Sequence, residues 1–453
     1  MLGKSIKMLL LGASVLVVSG YSAACDAPGR LCAPISANTS MPPAVLTRMA
    51  ATAPSAALVV AQLNTSSIDP TAATAGDART ASARVSSAEA AIAPRDGAGE
   101  ARTSANAANG AAAAETPPIR IGLLLPLRSE ALGQAAAAVR AGFLAAWERD
   151  RDGISVQVIE TNDVAQDILS AYAGALAQQD MMVGPLSRSA VGAVAASALV
   201  SKPTIALNYP EHGGGADTRL PPQMLAMGLS IEEEARQAAQ WAGADHPGGT
   251  ALVVLAGAQW QKRIASAFAA QWQRLGRPVK TVELSAPNGY LSDIELGQLR
   301  AKVQAEPPAV LFAALGADQA RQLRGAIGTE LPVYGTSAIN SGNTNNFPTQ
   351  ELDGVRLLDL PWQLQRDHPA VMVYPHPASS EGKAGAADLE RLYALGIDAF
   401  RVAREIAQRR AGHFLLDGVT GRLAVSFGQG AASFERTELP AVYKNGVAQP
   451  VLP

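Results

Sequence analysis

The feature that most limits the fold is an alternation of short, wholly apolar runs with amphipathic segments, which begins abruptly at Pro118. The first run reads IRIGLLLPL, and the segment after it places Val139, Phe143 and Trp147 at i, i+4 and i+8, on one face of a helix. The same pairing then recurs with the runs ISVQVIE, MMVG and TIALN. Apolar strands separated by helices are typical of a parallel sheet covered on both faces. The sequence therefore predicts an α/β fold of mostly parallel sheets flanked by helices.

A second series of the same kind follows the first and predicts a second sheet. Its strands read TALVVLAG, VKTVEL, AVLFAAL and PVYGTS, and amphipathic segments separate them. Near the end of the chain, Asn445-Gly446 is a strong signal for a two-residue hairpin. The two series together are longer than one core usually holds. We therefore expect two lobes, with lobe 1 formed by about residues 118–228 and 356–435 and lobe 2 by about residues 229–355 and 436–453.

The N-terminus has the layout of a secretory signal. Lys4 and Lys7 precede the apolar run MLLLGASVLVVSG, and the small residues SAA lead to Cys25. The apolar run is too short to favour a membrane-spanning helix. We therefore expect residues 1–24 to be a secretory signal peptide.

The sequence allows two modifications of Cys25, lipidation or a disulfide bond. It resembles the lipidated cysteine of a bacterial lipobox, although Ser22 stands where that motif usually has leucine. We favour lipidation, which would anchor the protein in a membrane. The outer membrane is the favoured one, but Asp26 is a residue that in enteric sorting favours the inner membrane. Without lipidation, Cys25 and Cys32 could pair as a disulfide in an oxidising compartment.

Residues 25–117 have the composition of a disordered, low-complexity tether. Ala, Ser, Thr, Gly and Pro dominate residues 33–116, and such a segment cannot bury enough apolar surface to offset the entropy of ordering. The alternative, a helical domain, lacks the periodicity of Leu, Ile and Phe that packed helices need. A flexible chain of this length has a root-mean-square reach on the order of 50 Å. We expect it to link the N-terminal anchor to the folded domain.

Charge and motif content argue against nucleic acids and against catalysis. The formal net charge is −2 and aromatic residues make up 5%, so neither a phosphate-tracking groove nor a base-stacking platform is expected. Neither G-x-S-x-G nor H-E-x-x-H occurs, and the five histidines lie mostly in loops beside Pro or Gly. The SEGK sequence at residues 380–383 imitates the S-x-x-K of penicillin-binding enzymes, but it lies in a Gly/Ala-rich loop and the companion motifs are absent. We expect no enzyme activity, no metal and no cofactor.

The order of motifs from Ile119 to the end resembles that of a known family. These motifs are IGLLLPL with AVRAGFLAAW, VGPL, IALNYPE, LSIEEEARQAA, FAAQWQRLG, and LYALGIDAFRVA with the GVTGRL turn. Together they resemble the C-terminal domain of the LpoA-type penicillin-binding protein activators, which has a type I periplasmic-binding-protein fold. The resemblance implies two lobes around a cleft, and a non-enzymatic periplasmic protein that docks on a class A penicillin-binding protein and stimulates peptidoglycan synthesis. The enteric activators carry a helical-repeat domain where this chain has the low-complexity segment.

Polar residues that follow the strands are the candidates for a ligand site, because ligands of α/β sheets lie beyond the carboxyl ends of the strands. The stretch VGPLSRSAV places Ser187 and Ser189 at a helix start, where free N–H groups and hydroxyls can bind a carboxylate. Simple N-capping of that helix is the more ordinary interpretation. The candidate cleft residues are Arg128, Ser129, Ser187, Arg188, Ser189, Asn208, Tyr209, Gln259, Trp260, Thr336 and Ser337.

A solute-binding component of an importer for branched-chain amino acids, or for a similar small molecule, would have the same lobes and cleft. Such a protein needs hydroxyls for the ligand carboxylate and an acid for its ammonium group. Arg128 and Arg188 lie near the serines without an obvious acidic partner in the sequence. We therefore favour the activator function over the importer function.

Overall fold

The fold is that of a computed structural model, which describes residues 117–211, 220–342, 350–377, 385–409 and 411–451. Within these residues parallel strands alternate with helices, and the predicted α/β fold is confirmed. The predicted signal peptide, nearly all of the predicted tether, both cysteines and the SEGK sequence lie outside the described residues. Over the described ranges, no helix is both long enough and apolar enough to cross a membrane.

The first sheet contains five strands, and every neighbouring pair is parallel. Its elements are β1 (Ile119–Leu125), α1 (Gly133–Arg149), β2 (Ile154–Glu160), α2 (Ala165–Leu176), β3 (Met181–Val183), α3 (Arg188–Ala196), β4 (Thr204–Ala206) and β5 (Met224–Ala226). The strand order is β2-β1-β3-β4-β5. Leu123, Leu124 and Leu125 of β1 are all fully buried, which explains why this strand shows no alternation of apolar and polar residues.

The second series begins the second sheet. Its elements are α4 (Ile231–Asp245), β6 (Ala251–Leu255), α5 (Gln259–Arg274), β7 (Val279–Glu283), α6 (Asp293–Ala305), β8 (Val310–Ala314), α7 (Ala317–Ile327), β9 (Val333–Gly335) and β10 (Arg356–Asp359). We expected the chain to return to lobe 1 at about residue 356, but β10 pairs in parallel with β9. The return therefore comes after Asp359, and the other lobe boundaries stay predictions.

The C-terminal region completes the second sheet and adds a third one. Its elements are α8 (Pro361–Leu364), α9 (Ala386–Arg409), β11 (Gly412–Asp417), β12 (Arg422–Phe427), β13 (Ser433–Thr437), β14 (Leu439–Lys444) and β15 (Val447–Pro450). Strands β11, β12 and β13 form an antiparallel sheet of their own. Strand β14 pairs antiparallel with β10 and β15, so the second sheet has seven strands in the order β15-β14-β10-β9-β8-β6-β7. Asn445 and Gly446, with φ angles of 54° and 75°, form the predicted turn between β14 and β15.

Helices α1 and α9 pack closely because a glycine lies on each side of their contact. A side chain at Gly142 would collide with a backbone oxygen of α9, and one at Gly396 would collide with a backbone oxygen of α1. Phe143 and Phe400 extend this contact edge to face, with ring centroids 5.4 Å apart and ring planes at 84°. The long C-terminal helix is thereby fixed against the first helix of the five-stranded sheet.

Candidate functional site

The start of α3, where the sequence predicts contact with a ligand carboxylate, is capped by the protein itself. Ser187 is the N-cap residue, and its hydroxyl accepts a hydrogen bond from the N–H of Ala190 at 3.2 Å. The hydroxyl of Ser189 lies 3.4 Å from that of Ser187. The capping interpretation is therefore confirmed for Ser187, and ligand contact by the two serines stays a prediction.

Asn208 and Tyr209 follow β4, and Asn208 contacts the loop that leads into α3. The side-chain amide of Asn208 donates to the carbonyl oxygen of Leu186 at 3.1 Å, and its side-chain oxygen accepts the N–H of Tyr209 at 2.9 Å. The amide group of this buried side chain thus holds the loop, and its oxygen fixes the backbone of the next residue. Burial raises the pKa of the Tyr209 phenol, so this ring is neutral at physiological pH.

Ser129 and Arg128 follow β1, and each contacts an acidic residue that follows β2: Asp163 in the connection and Asp167 in the first turn of α2. Ser129 is buried, and its hydroxyl donates to the carboxylate of Asp163 at 3.2 Å and accepts the N–H of Leu132 at 3.1 Å. Arg128 is exposed, and its guanidinium lies 3.3 Å from the carboxylate of Asp167. An exposed pair of this kind contributes only about 0–1 kcal/mol.

Arg188 also has an acidic partner. Its Nη1 lies 3.6 Å from Oε1 of the buried Glu232, and the same oxygen accepts a hydrogen bond from Nε of Arg263 at 2.7 Å. Burial alone would raise the pKa of Glu232, but Arg263 and Arg188 outweigh it and hold that pKa below its ordinary value. The expectation that Arg128 and Arg188 lack acidic partners was wrong, because the partners come from elements distant in the sequence.

The remaining candidates belong to the second sheet. Gln259 is exposed at the start of α5, whereas Trp260 is buried and its Nε1 has no hydrogen-bond partner among the described residues. Thr336 and Ser337 follow β9 and are buried, and their hydroxyls likewise have no partner within the described ranges. The N–H of Ser337 donates to the carboxylate of Glu234 at 2.8 Å. Buried polar atoms without partners are uncommon in folded proteins and mark places where water or a polar ligand can bind.

The acidic residues that connect these candidates were not predicted from the sequence. Glu232 and Glu234 lie in the first turn of α4, and they contact Arg188 on one side and Ser337 on the other. Helix α4 therefore contacts candidate residues that follow strands of both sheets. A signal for Glu234 was present in the sequence, since it follows the buried Ile231 by three positions and so lies on the apolar face of the helix.

A buried ion-pair network supports the segment that contains Ser337. Arg391 of α9 donates to the two carboxylate oxygens of Asp359 at 3.0 and 2.7 Å and to the carboxylate of Asp388 at 2.9 Å. It also donates to the carbonyl oxygens of Ser337 and Asn340, at 3.1 and 2.8 Å. The three charged side chains are almost fully buried. One guanidinium thus joins α9, β10 and the segment after β9.

Two carboxyl groups beside this network have raised pKa values. Burial raises the pKa of Glu234 to about 7, and the N–H of Ser337 opposes the rise while the charge of Asp359 adds to it. Burial also raises the pKa of Glu438 well above its ordinary value, and the charge of Glu234 contributes to that rise. Glu234 and Glu438 therefore share surroundings that disfavour two negative charges.

Arg436 of β13 forms hydrogen bonds near two places where the chain passes into the seven-stranded sheet, the segment before α4 and the segment after β13. Its Nη1 donates to the carbonyl oxygen of Gly228, between β5 and α4, at 2.7 Å, and its Nε donates to the hydroxyl of Thr420 at 3.0 Å. The side-chain amide of Gln237 donates to the carbonyl oxygen of Arg436 at 2.9 Å and accepts the N–H of Glu438 at 3.1 Å. Strand β13 is thus joined to the segment before α4 through Arg436, and the residue that follows β13 is joined to α4 through Gln237.

Metal binding finds no support in the described part of the chain. No three His, Cys, Asp or Glu side chains of these residues gather where they could hold a metal ion. The predicted absence of a metal, a cofactor and a catalytic centre stays a prediction.

The chain matches one family model and several known proteins. Residues 111–436 match the model of a family described as "LppC putative lipoprotein". A relative from Haemophilus influenzae, named penicillin-binding protein activator LpoA, is 27% identical over 349 residues, which cover 73% of this chain and 55% of the relative. The protein of the same name from Haemophilus ducreyi is 28% identical over 319 residues, which cover 67% of this chain and 50% of the relative. The chain thus spans about half the length of the curated relatives it matches.

Solved structures of the same fold include an LpoA domain and a chain described as a transporter. A chain from Chromobacterium violaceum, described as a "putative branched-chain amino acid ABC transporter", is 35% identical with a TM-score of 0.58, and the match covers 72% of this chain and 100% of that one. The C-domain of Haemophilus influenzae LpoA, described as a regulator of PBP1A, is 26% identical with a TM-score of 0.58, and the match covers 74% and 100% of the two chains. Full-length LpoA from that organism is 25% identical with a TM-score of 0.60, covering 74% and 59%.

Proposed function

The chain belongs to the LppC lipoprotein family, and from this premise we propose that it is a non-enzymatic periplasmic lipoprotein that binds and stimulates a class A penicillin-binding protein. In this function the α/β domain docks on the bifunctional synthase, and peptidoglycan synthesis by the synthase becomes faster. The names of the relatives support the proposal, since the LpoA proteins of two Haemophilus species are named penicillin-binding protein activators.

The observation that carries the proposal is the match to the C-domain of Haemophilus influenzae LpoA. The match covers 100% of that domain at 26% identity, and that protein is described as a regulator of PBP1A. The match covers only 59% of full-length LpoA, so contacts made by the rest of LpoA are not transferred to this chain. The proposal therefore concerns the α/β domain.

We propose in addition that Cys25 carries a lipid anchor and that residues 25–117 form the tether. The description of the family as a lipoprotein supports an anchor. The outer membrane is the favoured location, and Asp26 is the feature that speaks for the inner membrane. A flexible segment between the anchor and the domain would raise the local concentration of the domain at a synthase without fixing its orientation.

The alternative function is that of a solute-binding component of an importer for branched-chain amino acids. The match to the Chromobacterium violaceum chain, at 35% identity over 100% of that chain, favours it. The absence of an acid near Arg188, which the sequence suggested as a ground against it, does not hold, because Glu232 lies 3.6 Å away. The activator function remains our choice because the match covers the whole C-domain of Haemophilus influenzae LpoA.

Binding and stimulation are tested with the full chain carrying Cys25→Ser, so that no lipid is attached, and a purified class A penicillin-binding protein of the same organism. We expect capture of the synthase and an increase in its rate of glycan polymerisation that follows the amount of complex. A monofunctional penicillin-binding protein serves as the control partner and should not be captured.

A thermal-shift series with leucine, isoleucine and valine separates the two functions. A ligand present at 100 times its Kd stabilises a protein by about 2.7 kcal/mol, which is readily measured as a rise in Tm. Capture of the synthase without such a rise supports the activator. A clear rise with one of these amino acids, together with failure to capture the synthase, would reverse the choice.

A further inference from the structure

One buried carboxylate, that of Glu232 in α4, joins elements of the two large sheets. Its Oε1 accepts a hydrogen bond from Nε of Arg263 in α5 at 2.7 Å and lies 3.6 Å from Nη1 of Arg188 in α3. Helix α3 connects two strands of the five-stranded sheet, and α5 connects two strands of the seven-stranded sheet. Arg188, Glu232 and Arg263, here called the triad, therefore form a bridge between the two sheets.

The triad is largely shielded from water. The side chains of Glu232 and Arg188 are 11% and 13% exposed, and that of Arg263 is 35% exposed. Charges interact more strongly in such surroundings than at a fully solvated surface, and a bond between a guanidinium and a carboxylate is among the stronger hydrogen bonds in proteins. The hydrogen bond belongs to Arg263 and Glu232, and Arg188 adds an ion pair at 3.6 Å in the same shielded surroundings.

The triad offers more hydrogen-bond donors than Glu232 satisfies. Nη2 of Arg263 is buried and has no partner among the described residues, and the same holds for Nε1 of Trp260, three positions earlier in α5. Arg188 directs its Nη2 to the carbonyl oxygen of Pro210 at 3.3 Å. Two guanidinium groups around a single carboxylate also leave an excess of positive charge. These are the properties of an anion site, and here the anion is a side chain of the protein.

We propose that Glu232 occupies a latent carboxylate-binding site between Arg188 and Arg263, and that its side chain holds the two sheets together in place of a small-molecule ligand. Small monocarboxylates, such as acetate and formate, are the class of molecule that this site accepts once the Glu232 carboxylate is removed. The bridge is a property of the domain itself, so it does not depend on the proposed activation of a synthase.

Glu232→Ala tests the proposal by chemical rescue. The non-lipidated full chain is melted in sodium acetate, sodium formate and sodium chloride at equal ionic strength. We expect the variant to melt below the wild type in chloride, and its Tm to rise by roughly 4 °C when acetate is 100-fold above its Kd. Glu233→Ala is the matched control, because Glu233 is an acid of the same turn that is 45% exposed and pairs with Arg236 at 2.6 Å. The wild type should have the same Tm in acetate as in chloride, and so should this control.

Two further variants make the outcome decisive. Adding Arg188→Met to Glu232→Ala removes one of the two cations and should abolish the rescue. Glu232→Gln keeps the volume of the side chain and replaces the alanine variant if that variant does not fold. Its Tm should rise in acetate and formate relative to chloride, but by less than the Tm of the alanine variant. An acetate effect of equal size in the wild type, the Glu233→Ala control and the Glu232 variants overturns the proposal, and so does a rescue that survives the loss of Arg188. No synthase is present in this assay, so its failure leaves the activator proposal untouched.

Discussion

Replacing Arg391 by methionine tests the buried ion-pair network behind the segment that follows β9. Arg391 is almost fully buried and forms charge-assisted hydrogen bonds to Asp359 and Asp388. Methionine fills much of the same volume but supplies neither charge nor donors, so Asp359 loses its bidentate partner. Asp359 keeps hydrogen bonds from the side-chain amide of Asn340 and from the N–H of Leu360, both at 2.8 Å, but no positive charge faces it any longer. A buried carboxylate without a cation must stay ionised at a high desolvation cost or take up a proton, and either course costs free energy.

The expected loss in the free energy of unfolding is about 3–5 kcal/mol, the range observed when one partner of a buried ion pair is removed. Arg409→Met is the matched control on the same helix. Arg409 pairs with Glu405 one turn away at 2.6 Å, but its side chain is 59% exposed. A pair of this kind contributes about 0.3–0.5 kcal/mol, and the contact of the Arg409 guanidinium with the Phe414 ring, 5.9 Å from its centroid, adds about 0.5–1 kcal/mol. The two variants should therefore differ by roughly 2 kcal/mol or more.

Urea unfolding followed by tryptophan fluorescence measures both variants, and similar m-values are needed for the comparison. Adding Asp359→Asn to Arg391→Met should recover part of the loss, because it removes the orphaned charge. A loss for Arg391→Met no larger than that for Arg409→Met would refute the assignment of a stabilising role to this network.

Two further predictions concern helix packing and pH. Gly396→Ala should destabilise the fold by roughly 1–3 kcal/mol, because the added Cβ meets a backbone oxygen of α1. Gly297→Ala has open space around the added Cβ and should stabilise α6 by up to about 1 kcal/mol. Thermal melting should show a lower Tm for the first variant and a higher Tm for the second. Burial raises the pKa of Glu234 from 4.5 to about 7, so the native protein keeps this proton to a higher pH than the unfolded chain, and the free energy of unfolding decreases as the pH rises between these values. Glu234→Gln removes this contribution, and its curve of unfolding free energy against pH should diverge from that of the wild type by about 3 kcal/mol over this interval; parallel curves would contradict the prediction.

The fold class and the family could be predicted because their signals are local. The buried strand β1 appears in the sequence as an uninterrupted apolar run, and the turn at Asn445 and Gly446 needs only two residues. The resemblance to LpoA-type activators, read from short motifs in order, is confirmed by the family match and by the relatives. The point where the chain leaves the second sheet was misplaced, because the pairing of Arg356 with Tyr334 is a contact between distant residues that no local pattern records.

The candidate site was predicted only in part for the same physical reason. The cap formed by Ser187 depends on a residue three positions further along and could be expected from the helix start alone. The partner of Arg188 comes from a different helix, and its position depends on how the two sheets are brought together. Thr336 and Ser337 are buried by the elements that cover them. The sequence could not predict this burial, because Ser and Thr are mostly exposed in folded proteins.

The hydrogen bond from Arg436 to Gly228 joins residues 208 positions apart, so this brace is missing until almost the entire domain has been synthesised. Contacts of such separation form late, because the intervening polypeptide must first be brought to order. A nascent chain that has emerged only as far as β10 contains all five strands of the first sheet but neither Arg436 nor α9, which packs on α1. The brace and the packing of α9 can therefore form only once the C-terminal portion has been synthesised.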